Sequence, residues 1–262
     1  MNYQNDYSRI YRLIEKIIAK KIGKAIFDYK MIENGDRILV AVSGGKDSIT
    51  LLKDLVSRMK SFPIQYEIEA VHIETDFCTC CKKTKLEDIF KETGVPYHIY
   101  PVAVMGRLKP GKTMNCYWCS NQRRLELMKL AEERKCNKIA LGHHLDDIAE
   151  TLLMNMMFKG EMGGMLPVVK YNKFPCTIIR PLAYVREEEI INYAGKMDIL
   201  SIVCTCPFGK KSKRKEIREI IRTISKTNPN IQENILKSMH NVDMDYLLGK
   251  KQVIESTSDT SN

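Results

Sequence analysis

The chain has 262 residues, 44% of them apolar, which suits one large domain or two small ones around a globular core. Its 42 basic residues against 32 acidic ones give a net charge of +10. That balance suits a polyanionic partner such as nucleic acid and equally an ordinary basic enzyme. No apolar run approaches a membrane span and the first residues lack signal-peptide character, so no membrane partner and a cytoplasmic location are expected.

Apolar residues recur at spacings of three and four from Ile10 to Ile26, which predicts an amphipathic helix within residues 1–33. Residues 36–43 read as a strand, 46–60 as a helix, 64–73 as a strand, 82–92 as a helix and 97–102 as a short strand. A loop carrying Gly106, Pro110 and Gly111 leads to Cys116, and 120–135 read as a helix with Arg123, Arg124, Lys129 and Arg134 on its polar side. A strand over 138–142, a Met-rich helix over 148–158, a glycine-rich loop over 160–172, a short strand over 177–179, a helix over 186–196 and an extended stretch over 199–203 follow. Alternating strands and helices predict an α/β, Rossmann-like parallel sheet covered on both faces, here over residues 34–203. Residues 204–250 read as a basic C-terminal helical extension, with Lys210, Lys211, Lys213, Arg214, Lys215, Arg218 and Arg222 crowded together. Residues 251–262 form a polar tail expected to be disordered.

The stretch Val40-Ala-Val-Ser-Gly-Gly-Lys-Asp-Ser48 joins the first strand to the first helix of this sheet. A strand turning through glycines into a helix N-terminus leaves backbone N–H groups unpaired and aimed one way, which makes an anion site. Gly44 and Gly45 allow close approach, Ser43 and Ser48 add hydroxyls, Lys46 adds charge, and Asp47 can hold a metal or position a donor. The commoner phosphate loop is excluded, because Val40 replaces its first glycine and Asp47 its Ser or Thr.

A second segment, Leu141-Gly-His-His-Leu-Asp-Asp147, lies where a strand gives way to a helix. Asp146 and Asp147 fall in the first helical turn, where carboxylates serve as dipole partners or caps. Placed opposite the Gly44 loop, they could instead hold Mg²⁺ on phosphates or assist proton removal. His143 and His144 point in divergent directions, so at most one is expected to face the site.

Nine cysteines is high for a chain expected in a reducing compartment, so the clustered ones point to metal or redox chemistry. Cys116-Tyr-Trp-Cys119 can supply two thiolates, and Cys204-Thr-Cys206 is the obvious source of more. A structural zinc on all four, a redox dithiol, and a [4Fe–4S] cluster on three cysteines all remain open, with zinc slightly favoured by residue chemistry alone. Cys136 and Cys176, each standing alone, read as buried packing thiols. Cys78, Cys80 and Cys81 are given no role.

The loop Ser-Gly-Gly-Lys-Asp-Ser resembles that of the ATP-pyrophosphatase, or PP-loop, superfamily. Asn115-Cys-Tyr-Trp-Cys-Ser-Asn-Gln-Arg-Arg124, Ile139-Ala-Leu-Gly-His-His-Leu-Asp-Asp147 and Ile179-Arg-Pro-Leu-Ala-Tyr184 follow it in this order. Over roughly residues 30–245 the series resembles the TtcA-like tRNA 2-thiocytidine synthetases and their sister 2-thiouridine synthetases. The resemblance implies a tRNA thiolase that uses ATP, Mg²⁺ and a [4Fe–4S] cluster. It places Ser43, Gly44, Gly45, Lys46, Asp47, Ser48, His72, Gly142 and Asp147 at the nucleotide, gives Asp146, Lys46 and Asp47 catalytic roles, and makes Cys116, Cys119 and Cys206 the cluster ligands. Cys204-Thr-Cys206-Pro-Phe is nearer the thiouridine form of the later motif, which leaves Cys204 open as the ligand instead. The absence of terminal cysteine pairs favours the thiocytidine branch.

The resemblance implies the following reaction. The C2 oxygen of a pyrimidine, cytidine 32 of a tRNA anticodon loop by preference, is adenylated with release of pyrophosphate, and sulfide then displaces AMP. The partners implied are tRNA, a sulfur donor (a cysteine desulfurase or free sulfide) and a second copy of the chain. Arg123, Arg124 and residues 210–222 are expected on the tRNA backbone. Tyr117 or Trp118 can stack on a flipped base or shield the cluster. A 2-thiouridine synthetase, a lysidine-type ligase without sulfur chemistry and a non-catalytic metal-bearing RNA-binding module are the alternatives.

Overall fold

The computed structural model describes residues 3–61, 63–77, 83–195 and 213–247. Cys78, Cys80, Cys81, Cys204, Cys206, the stretch over 199–203 and the tail lie outside the described residues. Six strands form one sheet: β1 (Asp36–Ala41), β2 (Tyr66–Thr75), β3 (Tyr97–Val102), β4 (Lys138–Leu141), β5 (Val168–Lys170) and β6 (Thr177–Ile179). Their order is β3-β2-β1-β4-β6-β5. All neighbouring pairs are parallel except β5 with β6. The chain crosses from the β1–β2–β3 side to β4 at β1. A crevice therefore opens at the carboxyl ends of β1 and β4, where such sheets bind ligands.

Strand alternation explains the layers. Ile38 and Val40 face the helices α1 (Tyr3–Asp28), α2 (Lys46–Met59), α3 (Lys83–Thr93) and α6 (Glu187–Ala194), packing with Ile22, Leu52, Phe90 and Ile190. Leu39, between them, faces the opposite side with Ile139 and Ile178, under Leu127 and Ala131 of α4 (Cys116–Glu133). Helix α1 joins the first layer through stacked Tyr11 and Tyr193 rings and a Lys21–Glu189 ion pair at 2.6 Å. Helices α5 (Leu145–Lys159), α7 (Lys213–Ser225) and α8 (Ile231–Ser238) pack together through Ala149, Ile148, Ile217, Ile221 and Leu236. Cys136 and Cys176 are buried in the α4 layer, as expected of packing thiols.

Two elements differ most from expectation. Helix α4 starts at Cys116, four residues early, because the Asn115 side chain accepts a hydrogen bond from Trp118 N at 2.9 Å and caps it. The Cys116-x-x-Cys119 pair therefore lies on a helical turn. Strand β5 lies inside the expected loop. It is three residues long and antiparallel to β6, and an Arg180 N–H bond to the Pro167 carbonyl at 2.9 Å closes the connection.

Candidate functional site

The phosphate loop is held in shape by its own serines. Ser48 Oγ accepts from Ser43 N at 3.1 Å and donates to the Gly45 carbonyl at 2.9 Å. Gly44 has φ of 83°, a left-handed conformation that glycine adopts without strain. Gly45 is the N-cap of α2, and its side-chain-free end leaves the first-turn N–H groups to a ligand. The His72 ring Nδ1 lies 2.7 Å from the Val42 carbonyl, so this residue braces the exit of β1 from beneath the loop.

Gly142 follows β4 and runs against the start of α2. A Cβ there would sit 2.9 Å from Ser48 N, 3.0 Å from Ser48 Cα and 3.1 Å from the Asp47 carbonyl carbon. Only glycine lets the two phosphate-side segments touch through their backbones. Helix α5 begins three residues later with His144 as N-cap, and Asp147 Oδ2 accepts from His144 N at 3.2 Å.

Around this junction the charges form a closed ring. Lys46 Nζ is 3.0 Å from both Asp47 Oδ1 and Glu187 Oε1. Glu187 Oε2 is 3.6 Å from Arg218, which donates from Nε to Glu150 Oε1 at 2.6 Å. Arg214 spans Glu150 at 3.5 Å and Asp147 at 2.7 Å. His144 Nε2 closes the ring at 3.5 Å from Asp147 and 3.9 Å from Asp47. Burial works against the charge on His144, but Asp146, Asp147 and Asp47 outweigh it and raise the imidazole to about 9. Burial likewise opposes the charge on Lys46, and Asp47 and Glu187 hold its ammonium above the ordinary range. Asp146 accepts from Glu187 N at 2.7 Å and from Gln232 at 3.3 Å, and so stands behind His144 rather than on the cavity wall. Arg214 and Arg218, expected on an RNA-facing surface, are turned inward, and Arg222 pairs with Glu219 at 2.8 Å.

A cavity of about 300 Å³ opens over the carboxyl ends of β1, β2, β4 and β6. Ser43, Asp47 and Ser48 line one side, Gly142, His143 and Asp147 a second, and Ser120, Arg123 and Arg124 of α4 a third. Here Arg123 and Arg124 enter the site, a placement their position on a polar helix face did not reveal. Their signal was spacing. Counted from the Asn115 cap, they are the eighth and ninth helical residues and open the third turn of α4, close behind the cysteines. Of the adjacent histidines, only His143 lines the cavity, in keeping with their divergent directions.

Cys116 is exposed and Cys119 half-buried on the first turn of α4, one residue before cavity-lining Ser120. An i, i+3 pair shares one helix face, so the two fit as ligands of a thiophilic metal or cluster. No group of three or more metal-ligating side chains occurs among the described residues. Trp118 packs into the α4 layer and donates to the Val104 carbonyl at 3.2 Å, so it is not placed to stack on a base; Tyr117 is exposed. No helix among the described residues is long and apolar enough to cross a membrane.

A family model described as a PP-loop domain matches residues 14–223. A tRNA-cytidine(32) 2-sulfurtransferase of Geotalea uraniireducens is 38% identical over 239 residues, covering 89% of this chain and 94% of that one. A second relative of the same name from Paracidovorax citrulli is 36% identical, over 90% of this chain and 77% of its own. Among solved structures, the U34-tRNA thiolase NcsA from Methanococcus maripaludis with its [4Fe-4S] cluster superposes with a TM-score of 0.73 at 24% identity, covering 91% of this chain and 81% of that chain. An NMN synthetase from Francisella tularensis shares the fold more loosely, with a TM-score of 0.51 at 13% identity over 92% and 98% of the two chains. The chain therefore belongs to the PP-loop family and, within it, to the family of the tRNA-cytidine(32) 2-sulfurtransferases.

Proposed function

We propose that the chain is an ATP-dependent tRNA sulfurtransferase that replaces the C2 oxygen of cytidine 32 with sulfur. The observation that carries the reading is the shared cavity: the phosphate loop forms one wall, and the helix that bears Cys116 and Cys119 forms another. Relatives at 36–38% identity carry the cytidine name.

ATP binds with its phosphates on the loop N–H groups of Gly44 to Ser48, where Lys46 and the α2 N-terminus offset their charge. Asp47 and Asp147 are the carboxylates that would hold Mg²⁺: both line the cavity and supply the hard oxygen donors that ion takes. The C2 oxygen attacks the α-phosphorus and pyrophosphate leaves. Sulfide then adds to C2 and AMP departs with the oxygen. Asp146 is a positioning residue, holding charged His144 against Asp47 and Asp147. His72 acts by bracing the loop.

Cys116 and Cys119, with Cys206 as third ligand, would hold a [4Fe–4S] cluster, which would present sulfide to the cavity. Arg123 and Arg124 bring the tRNA's negative charge toward the same opening. Sulfide reaches the enzyme free or from a cysteine desulfurase, and a homodimer in the cytoplasm is its working form.

The test is made on anaerobically purified protein. Asp47→Ala abolishes pyrophosphate release and keeps its iron, whereas Cys116→Ser loses iron and 2-thiocytidine while still folding. A Cys116→Ser protein with a full iron and sulfide complement contradicts the ligand assignment.

A further inference from the structure

Arg180 directly follows β6 and is only 5% exposed. Its backbone and Nη1 are anchored to the carbonyls of Pro167 and Leu166. Its Nε lies 3.4 Å from Nδ1 of His143. A guanidinium has donors only, so the ring nitrogen facing it must be the acceptor. A neutral imidazole that accepts at Nδ1 carries its hydrogen on Nε2. Burial, reinforced by the positive charges of Arg180, Arg214 and His144, overrides the attraction of Asp147 and lowers His143 to about 4. At neutral pH the ring is therefore an uncharged donor. Because Nδ1 is taken, Nε2–H is the polar group it can offer a ligand in the cavity it lines.

The arginines that line the cavity have the same polarity. Arg123 and Arg124 line the same cavity, and Arg123 Nε is buried without a hydrogen bond among the described residues. None of Arg123, Arg124 and Arg180 forms an ion pair among the described residues. His143, Arg123 and Arg124 thus face the cavity as donors, with the Asp147 carboxylate as the acceptor beside them. The two pyrimidines differ most, next to C2, at N3. Cytosine presents a bare acceptor nitrogen there, and uracil presents an N–H.

We propose that His143, locked by Arg180 as an Nε2–H donor, hydrogen-bonds N3 of the target base and makes the enzyme select cytidine over uridine. The inference deepens the proposed function and rests on it. The same bond assists the chemistry. When sulfide adds to C2, electron density moves toward N3, and a donor there stabilises it; when AMP leaves, that density returns to the ring. Uridine would set its N3–H against the imidazole N–H and leave both unpaired in a confined site. A site built around a hydrogen bond rejects a mismatched partner by roughly 100-fold or more.

The experiment uses the iron-loaded enzyme with ATP, inorganic sulfide and two tRNA transcripts differing only in cytidine or uridine at position 32, read by nucleoside mass spectrometry. Wild type should form 2-thiocytidine at least about 100-fold faster than 2-thiouridine. His143→Gln, whose amide can turn either its oxygen or its NH₂ to the base, should lower that preference at least about tenfold. A His143→Gln enzyme that keeps the wild-type preference overturns the inference and leaves the function standing. If wild type makes no 2-thiocytidine, the function reading falls and takes the inference with it. Ring-nitrogen NMR of ¹⁵N-histidine-labelled wild type reads the lock without any variant. A bare Nδ1 and a protonated Nε2 at pH 7 are expected, and the opposite tautomer or an imidazolium overturns the proposal.

Discussion

Lys46 of the phosphate loop and Glu187 at the start of α6 are joined by a 3.0 Å ion pair, although 141 positions separate them. The pair links α2, which meets the nucleotide, to the ring of charges that runs through α7 and α5 and returns to Asp47. The basic C-terminal helix thereby becomes part of the frame around the phosphate site.

Glu150 is the hub of that frame. It is 1% exposed and is held by Arg218 at 2.6 Å and Arg214 at 3.5 Å. Glu150→Gln leaves two guanidiniums without their central counter-charge. Since both are about one-third exposed, water offsets part of the loss, and the expected cost is roughly 2–3 kcal/mol. Urea denaturation checks this. A change within about 0.5 kcal/mol would show that α7 is held by Ile217 and Ile221 alone.

Gly142 supports a sharper prediction, because the atoms its missing Cβ would strike belong to the backbone of Asp47 and Ser48. Gly142→Ala must push α2 away from β4, at a cost of about 1–3 kcal/mol. Displacement of the loop by a fraction of an ångström should lower ATP turnover at least about tenfold. Pyrophosphate release with melting measured in parallel tests it. Wild-type turnover would mean that the loop is not the nucleotide site.

Much of this architecture is legible in the residues. The Ser43–Ser48 stretch, with a strand before it and a helix after it, marks the phosphate site at the carboxyl end of β1. The strands over Tyr97–Val102 and Thr177–Ile179 lie where their apolar runs end. The start of α4 was harder to read, because its signal is one capping residue, Asn115, ahead of a cysteine pair that reads as a loop. Strand β5 has only Val168, Val169 and Lys170, too few for any period. The inward turn of Arg214 and Arg218 depends on Glu150, 64 and 68 positions away, and no local pattern encodes it.

His144 gives the protein a pH signature. Its folded value of about 9 lies above the ordinary 6.5, so folding stabilises the imidazolium. That contribution, on the order of 3 kcal/mol, is complete below pH 6.5 and declines as pH rises through about 9. Melting of the nucleotide-free protein in EDTA should fall across this window. His144→Asn, which keeps a capping side chain without the charge, should flatten the decline. An equally steep decline in the variant would assign the effect to other groups.

The central claim is that one cavity joins ATP cleavage to sulfur insertion at C2 of cytidine. An anaerobic reaction of the iron-loaded enzyme with tRNA, ATP and sulfide tests it most directly, with AMP and 2-thiocytidine quantified in the same sample. The account predicts that the two form in equal amounts and that Lys46→Met abolishes both. AMP without thiolated cytidine, or thiolated cytidine without AMP, would contradict it.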